Sequence, residues 1–322
     1  MISRRYVLAA TGLLVLPVAR AARFPEYPVK LIVPFPPGGG TDVHLRKFAQ
    51  LCEKHLGQPM IVENRTGASG AVALTALARN AMPDGYTISV LVPTSLRLPL
   101  LQKMQYDPLK DFTYISRLSG YTYVVAVRSD SPWKTWRDLM NYALANPGKL
   151  SMGNAGLNSS THLGAVQIAA LEKIEVNHIP YKGDGDQVQD LLGGHLDVGT
   201  PSMSIAPLVE SGAVRLLAIW TADRSAHFPD VPTLREVGAN IVLEVPYGLV
   251  GPAGMDSAVV QILTEAFHRT SAEPENLATL RRLDQLDLYL GPKDYADWAR
   301  RTYFAEKALI ERLEANKIKG TS

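Results

Sequence analysis

Apolar and polar positions along this chain alternate between two periods. "VKLIVPF" (29–35) is a short apolar run, and beyond the glycines that follow it Leu45, Phe48, Cys52 and Leu56 recur at steps of three and four. That spacing predicts an amphipathic helix over Asp42 to Leu56 behind a strand. Asp42 sits at its positive end, Lys54 and His55 at its negative end, and Gly57 stops it. A strand at "MIVEN" (60–64), the loop "RTGASG", an Ala/Leu-rich helix over Ala71 to Ala81 and the turn Pro83-Asp84-Gly85 lead into a strand at "YTISVLV" (86–92). Strands alternating with helices through short turns predict right-handed parallel crossovers.

The rhythm restarts at "TYVVAV" (122–127). A helix over Thr135 to Ala145 ends at Asn146-Pro147-Gly148; then come strand "KLSMG", the loop "NAGLNSST" and a helix from His162. Strand "EVNHIPY", a helix over Gln187 to Leu192, strand "HLDVG", a helix near Ile205 to Glu210 and strand "VRLLAIW" complete the set. From about residue 222 the pattern is mainly helical, with "SAVVQILTEAFHRT" and "YADWARRTYFAEKALIERLEANK" amphipathic and a short strand, "LDLYL", between them. The predicted class is α/β, with two lobes that are each a mostly parallel sheet flanked by helices. Residues 22–122 and 222–322 form lobe 1, and residues 123–221 form lobe 2.

Composition agrees with a packed soluble protein: 322 residues, 46% hydrophobic and 20% charged, enough chain for about two domains. The formal net charge of +2 is spread along the chain, which does not suggest nucleic acid as a partner. Residues 1–21 stand apart as an export signal: Arg4 and Arg5, an apolar stretch too short to span a bilayer, and Ala19-x-Ala21 as a cleavage site. Ser3-Arg4-Arg5-Tyr6-Val7-Leu8 fits the twin-arginine route, the alternative being an ordinary secretory leader with two incidental arginines. Cleavage removes three arginines and no acid, so the mature chain is close to neutral. Its single cysteine, Cys52, excludes an internal disulfide and lies far from the cleavage point, so it is not a lipidated first residue. The mature chain is therefore expected to be periplasmic, free of the membrane and without a cofactor.

Candidate chemistry centres on "PFPPGGGTD" (34–42), between a strand and a helix. Ligands of parallel α/β lobes collect at such places, where the first helical N–H groups lack partners and the dipole is positive. Glycine lets ligand oxygens approach the backbone, and Pro34, Pro36 and Pro37 pre-order the loop. The alternative is a tight turn whose glycines only satisfy backbone geometry. A dinucleotide fingerprint fails, because Val43 stands where the third glycine belongs. "GNAGLNSSTHL" (153–163) repeats the layout in the second lobe and offers Asn154, Asn158, Ser159, Ser160 and Thr161, with Ser160 or Thr161 also able to serve as an ordinary N-cap. Two such cups suggest a cleft that grips one anion from both sides. Catalytic signatures are missing: there is no G-x-S-x-G elbow, the seven histidines are scattered, and Cys52 falls within the apolar stripe of a helix.

"YPVKLIVPFPPGGGTD", "LGQPMIVENRTGASG", "PDGYT", "KDFTYIS", "NPGKLSMGNAGLNSSTHL", "HIPYKG", "LLGGHLD", "VRLLAIWTADR" and "FPDVPTLREVG" occur in this order over nearly all of the mature chain. In these motifs the chain resembles the extracytoplasmic solute-binding proteins of tripartite tricarboxylate transporters, the Bug family. The resemblance implies a type II-like periplasmic binding protein, a "Venus flytrap" that closes on a small organic acid and hands it to membrane permease subunits. It implies a carboxylate held by backbone amides and bridging water, and no catalysis; a monomer suffices for such a receptor. An exported binding protein can instead present its ligand to a sensor kinase.

Carried over by motif, the ligand-binding residues are Phe35, Pro37, Gly38, Gly39, Gly40, Thr41 and Asp42 in the first loop. Asn154, Ala155, Asn158, Ser159, Ser160, Thr161 and His162 follow in the second, with Thr94, Ser95, Tyr181, Lys182, Pro201, Ser202 and Tyr247 around them. His162 is weighed against a capping role, Lys182 against a solvated surface position, and Tyr181 and Tyr247 against interdomain packing. The chain departs from the family at Asn158, where glycine is common, at Ala73, which replaces a glycine, at Pro246, where an aromatic is frequent, and at Met255-Asp256, where Thr-Pro is frequent. The amide of Asn158 is expected to influence ligand choice. The hinges are expected near "YTYVVAV" and "LAIWTAD".

Overall fold

The computed structural model describes residues 24–320, with side chains to residue 311, so the export signal lies outside the described residues. The first part of the chain runs β1 (Val29–Val33), α1 (Gly40–Leu56), β2 (Met60–Asn64), α2 (Ala71–Asn80), β3 (Thr87–Leu91), α3 (Pro93–Leu101) and β4 (Phe112–Tyr121). The middle part runs β5 (Val124–Arg128), α4 (Trp136–Ala145), β6 (Leu150–Asn154), α5 (Ser160–Glu172), β7 (Val176–Pro180), α6 (Asp184–Gly193), α7 (Ala206–Glu210) and β8 (Val214–Ile219). The last part holds β9 (Val245–Pro252), α8 (Ser257–Ser271), α9 (Pro274–Arg282), β10 (Leu286–Leu290) and α10 (Pro292–Gly320).

The first lobe is built on one sheet in the order β10-β4-β9-β3-β1-β2. It is mixed rather than mostly parallel: β1 pairs in parallel with β2 and β3, whereas the β3–β9, β9–β4 and β4–β10 pairs are antiparallel. β9 comes from the far end of the sequence and completes the centre of the sheet, so the first lobe closes only after the chain has made the second. β9 carries Pro246 and Pro252, which disfavour a strand locally, yet all eight of its residues are buried. Pro246 lies beyond the stretch that pairs with β3, where a missing N–H costs no ladder bond on that side. Side chains alternate across the sheet: Val245, Tyr247 and Leu249 enter the core shared with α1 and α8, and Val250 enters the core under α2, α3 and α10.

In the second lobe β6 and β7 pair in parallel as expected, but β5 and β8 are antiparallel. "HLDVG" makes only isolated bridges, through Val198 and Gly199. Val125 and Val127 face one core, Val124 and Ala126 the other. The two crossings between lobes lie side by side, the Trp220 N–H donating to the Tyr123 carbonyl at 3.0 Å. Past β8 the chain first stays with the second lobe, where Leu234 N–H donates to the Ile219 carbonyl at 2.8 Å. No helix among the described residues is long and apolar enough to cross a membrane.

Candidate functional site

The first loop leaves β1 at Val33, and its three glycines serve different ends. Gly38 is at φ +82°, a left-handed conformation that favours glycine. Gly39 occupies the N-cap without a side chain to cap the helix. Gly40 sits in close quarters: a Cβ there would stand 3.1 Å from Gln285 Nε2, tighter than usual, and 3.5 Å from the Ser202 hydroxyl. No partner is found among the described residues for the N–H groups of Gly39, Gly40 and Thr41. They form a donor cluster at the positive end of a 17-residue helix.

Two expected members of this cup turn out to be engaged within the loop. The Gly38 N–H donates to Asp42 Oδ2 at 2.9 Å. Asp42, 2% exposed, also accepts from Arg46 Nε at 2.9 Å and Asn64 Nδ2 at 2.7 Å. Burial pushes the Asp42 carboxyl up, but Arg46, the Gly38 amide and Asn64 together hold it below the usual carboxylate range. Asn64 also donates to the Phe35 carbonyl at 3.0 Å. Asp42 is thus the brace that shapes the loop, which leaves the N–H groups of Gly39 to Thr41 as its open donors. The Thr41 hydroxyl is hydrogen-bonded to that of Tyr121.

The second loop shows the same division. Ser159 is the N-cap of α5, its hydroxyl accepting from the His162 N–H at 3.1 Å. The Thr161 hydroxyl accepts from the Ala155 N–H at 3.0 Å. His162 Nδ1 accepts from the Asn158 N–H at 3.1 Å, so this imidazole holds the loop, and it lines neither cavity between the loops. Its pKa is lowered by burial and by nearby His178 and Arg97. Ser160 is 4% exposed, and its hydroxyl has no partner among the described residues. Asn154 is fully buried, both its amide atoms lack a partner among the described residues, and it lines neither of the two cavities between the loops.

The two loops meet. Between them is a 30 Å³ chamber walled by Ser69, Thr94, Ser159, Ser160 and Thr161, which holds room for about one water. It shares Phe35, Tyr121, Tyr123 and Ala155 with a 510 Å³ cleft that also contains Pro37, Gly38 to Thr41, Asp184, Asp186, Ser204 and Leu208. Three contacts bridge the lobes around it. Ser69 Oγ donates to the Leu157 carbonyl at 3.2 Å, Arg97 Nη1 donates to the Asn158 carbonyl at 3.0 Å, and Gly183 packs on Pro36. A larger groove of 580 Å³, on the second lobe around Trp136, Met140 and Val237, contains no residue of either loop.

The remaining expected residues divide. Thr94 lines the chamber, but the Ser95 hydroxyl accepts from the Val92 N–H at the start of α3. Tyr247 is 0% exposed inside the first lobe, its hydroxyl 2.6 Å from His44 Nδ1 and 2.9 Å from Gln285 Oε1, so it belongs to the core. The Tyr181 hydroxyl donates to Asp190 at 2.8 Å, and Tyr181 lies outside both cavities. Lys182 is exposed and outside the walls. The Pro201 carbonyl accepts from the Val124 N–H at 3.1 Å, and Ser202 is tied to Asp184, so both support the wall. Tyr121, Tyr123 and Asp184 were not anticipated as walls; the aromatics of "YTY" at the crossing and the acids of "YKGDGD" were the available signals.

Fold and site together define a two-lobed binding protein, with helix N-termini of both lobes turned towards one interlobe cleft. Residues 44–315 match the tripartite tricarboxylate transporter family receptor, and the chain belongs to that family. It is 42% identical to the UPF0065 protein in the gbd 5' region of Cupriavidus necator, over 95% of this chain and 93% of that one. Among solved structures it resembles MatC of Rhodopseudomonas palustris with bound malate, at 28% identity and TM-score 0.81, covering 89% of this chain and 100% of that one. It also resembles R. palustris Rpa4515 with adipate, at 28% identity and TM-score 0.83, covering 90% and 96%. The family is one of periplasmic solute-binding receptors.

Proposed function

We propose that this chain captures a small organic carboxylate between its lobes and delivers it to the membrane permease subunits of a tripartite transporter. The observation that carries the reading is the cleft itself, where the unpaired N–H groups of Gly39 to Thr41 and the unpartnered Ser160 hydroxyl border connected cavities. Malate and adipate in two relatives support a carboxylate as the ligand class. The ligand docks on the first loop, and the second loop completes the enclosure. Closure follows from the ligand's preference for the shut form, each 1.4 kcal/mol of which is about tenfold in population. The role is binding without turnover, by a monomer whose leader is cleaved after Ala21 on export, with one lobe boundary near residue 122 and the other beyond Leu234, later than the expected 222.

A thermal-shift screen of the mature protein against a broad panel of carboxylates tests the reading. A ligand present at about 100 times its Kd adds about 2.7 kcal/mol of stability. The expected result is a small group of stabilising acids, recovered unchanged after incubation, whose uptake by cells stops when the gene is deleted. Absence of stabilisation by every acid would overturn the reading, and loss of a transcriptional response with uptake intact would point to a sensory role.

A further inference from the structure

The Gly40 end of the donor cluster lies beside Ser202, and Ser202 holds an acid in the wall of the same cleft. A Cβ on Gly40 would lie 3.5 Å from the Ser202 hydroxyl, which itself donates to Asp184 Oδ2 at 2.6 Å. The Ser202 N–H donates to the same oxygen at 3.1 Å. Asp184 Oδ1 accepts no hydrogen bond from the described residues, and Asp184 is a wall of the cleft. Asp184 and Asp186 are the only charged residues among the walls of either cavity, which include no Lys, Arg or His. Arg97, the buried cation nearest the second loop, is already paired with Glu306, Nε to Oε2 at 2.8 Å. Burial without a facing cation raises the Asp184 carboxyl above the usual carboxylate range, despite the Ser202 and Ser204 hydroxyls.

A ligand with carboxylates at both ends would bring two negative charges into a cleft that already holds two and offers no countercharge. Like charges in a partly dehydrated space repel strongly. A ligand that instead carries a donor reverses the sign of its contact with Asp184, and an acceptor left unmatched in the half-buried cleft wall discriminates against ligands without one. The Ser160 hydroxyl, buried and unpartnered in the adjoining chamber, supplies a donor for the carboxylate on the side of the second loop.

We propose that Asp184 is a specificity-determining residue that accepts a hydrogen bond from an ammonium or hydroxyl group of the ligand, so that this receptor selects amino or hydroxy acids over dicarboxylates of equal length. The inference rests on the carboxylate-receptor reading and narrows it. It sets this chain apart from the relative that holds adipate, which has no donor beyond its carboxylates, whereas malate in the other relative carries a hydroxyl.

The test uses sets of acids matched in chain length, each containing the plain monocarboxylate, its hydroxy and amino derivatives and the dicarboxylate. Thermal shift finds the lengths that bind, and calorimetry then ranks the members on the wild-type mature protein and on Asp184→Asn. The expected result is a hydroxy or amino acid at least about tenfold tighter than its dicarboxylate, a ratio that Asp184→Asn narrows by about tenfold. A dicarboxylate or plain acid that is tightest in its set overturns the inference. So does a ratio unmoved in an Asp184→Asn protein with a native circular dichroism spectrum. The wild-type ranking decides even where the variant does not fold. If no member of any set stabilises the protein, the receptor reading itself fails, a result distinct from the wrong ranking.

Discussion

At the scale of single residues, backbone conformation explains more of the second loop than side-chain chemistry does. Asn158 has φ +61°, the left-handed region that glycine enters freely and asparagine tolerates. Its carbonyl receives Arg97 and its N–H donates to His162, while its side chain is outside both cavity walls. The expectation that its amide influences ligand choice is therefore replaced. Asn158→Gly should leave relative affinities across a panel of acids within about twofold of wild type, as read by calorimetry, because glycine meets the same dihedral requirement.

Asp42 makes the complementary case. Asp42→Ala removes an acceptor shared by Gly38, Arg46 and Asn64, and should cost on the order of 3 kcal/mol in urea unfolding. A stable Asp42→Ala protein that loses only ligand affinity would return this carboxylate to the ligand. In sequence, "GGGTD" reads as one uniform cup; the separate duties of its glycines and of Asp42 depend on which neighbours each one meets.

At the scale of elements, one buried histidine ties together parts of the first lobe that are far apart in sequence. His44 on α1 donates through Nε2 to Asn276 Oδ1 of α9 at 2.9 Å, and its Nδ1 faces the Tyr247 hydroxyl of β9 at 2.6 Å. Burial pushes its pKa down to about 4, against the Asn276 hydrogen bond. A depressed histidine gives stability that is complete above its unfolded value, near 6.5, and is lost as pH falls from there to about 4. Over that window this imidazole should cost the wild type on the order of 3 kcal/mol, a loss that His44→Asn lacks. Urea midpoints measured at intervals between about pH 7.5 and 4 should converge for the two proteins, and parallel curves would count against the assignment.

The elements themselves were legible where the pattern was periodic. α1, α4, α8 and β10 lie where their spacing predicts them, whereas prolines interrupt the local pattern of α3, α9 and β9. Pro93 and Pro274 stand near helix starts, where proline is tolerated, so their effect on local pattern exceeded their effect on structure.

At the scale of the whole molecule, the lobes are held face to face by few polar bonds, and Arg97 makes one of them. Its side chain, 4% exposed, joins α3 to Glu306 of α10 and then reaches the Asn158 carbonyl across the cleft. Charged hydrogen bonds of this kind contribute about 1.5–3 kcal/mol. Arg97→Lys keeps a positive charge beside Glu306 but loses the guanidinium fork, and should weaken the best acid from the screen by about tenfold, mainly through faster release. Stopped-flow dissociation rates check this, and an unchanged rate would remove Arg97 from the closing contacts.

The sequence by itself determined the α/β elements, the two strand-to-helix loops and, through the order of its motifs, the family. Those follow from local periodicity, glycine placement and helix capping, which act within a few residues. Tertiary structure alone decided the mixed first sheet, because β9 pairs with strands more than a hundred residues away. It also decided which loop donors remain unpaired and which acid stands opposite them. Asp184 and Gly40 line the same cleft although they are far apart in sequence, and no spacing along the chain encodes the sign of charge across a cleft.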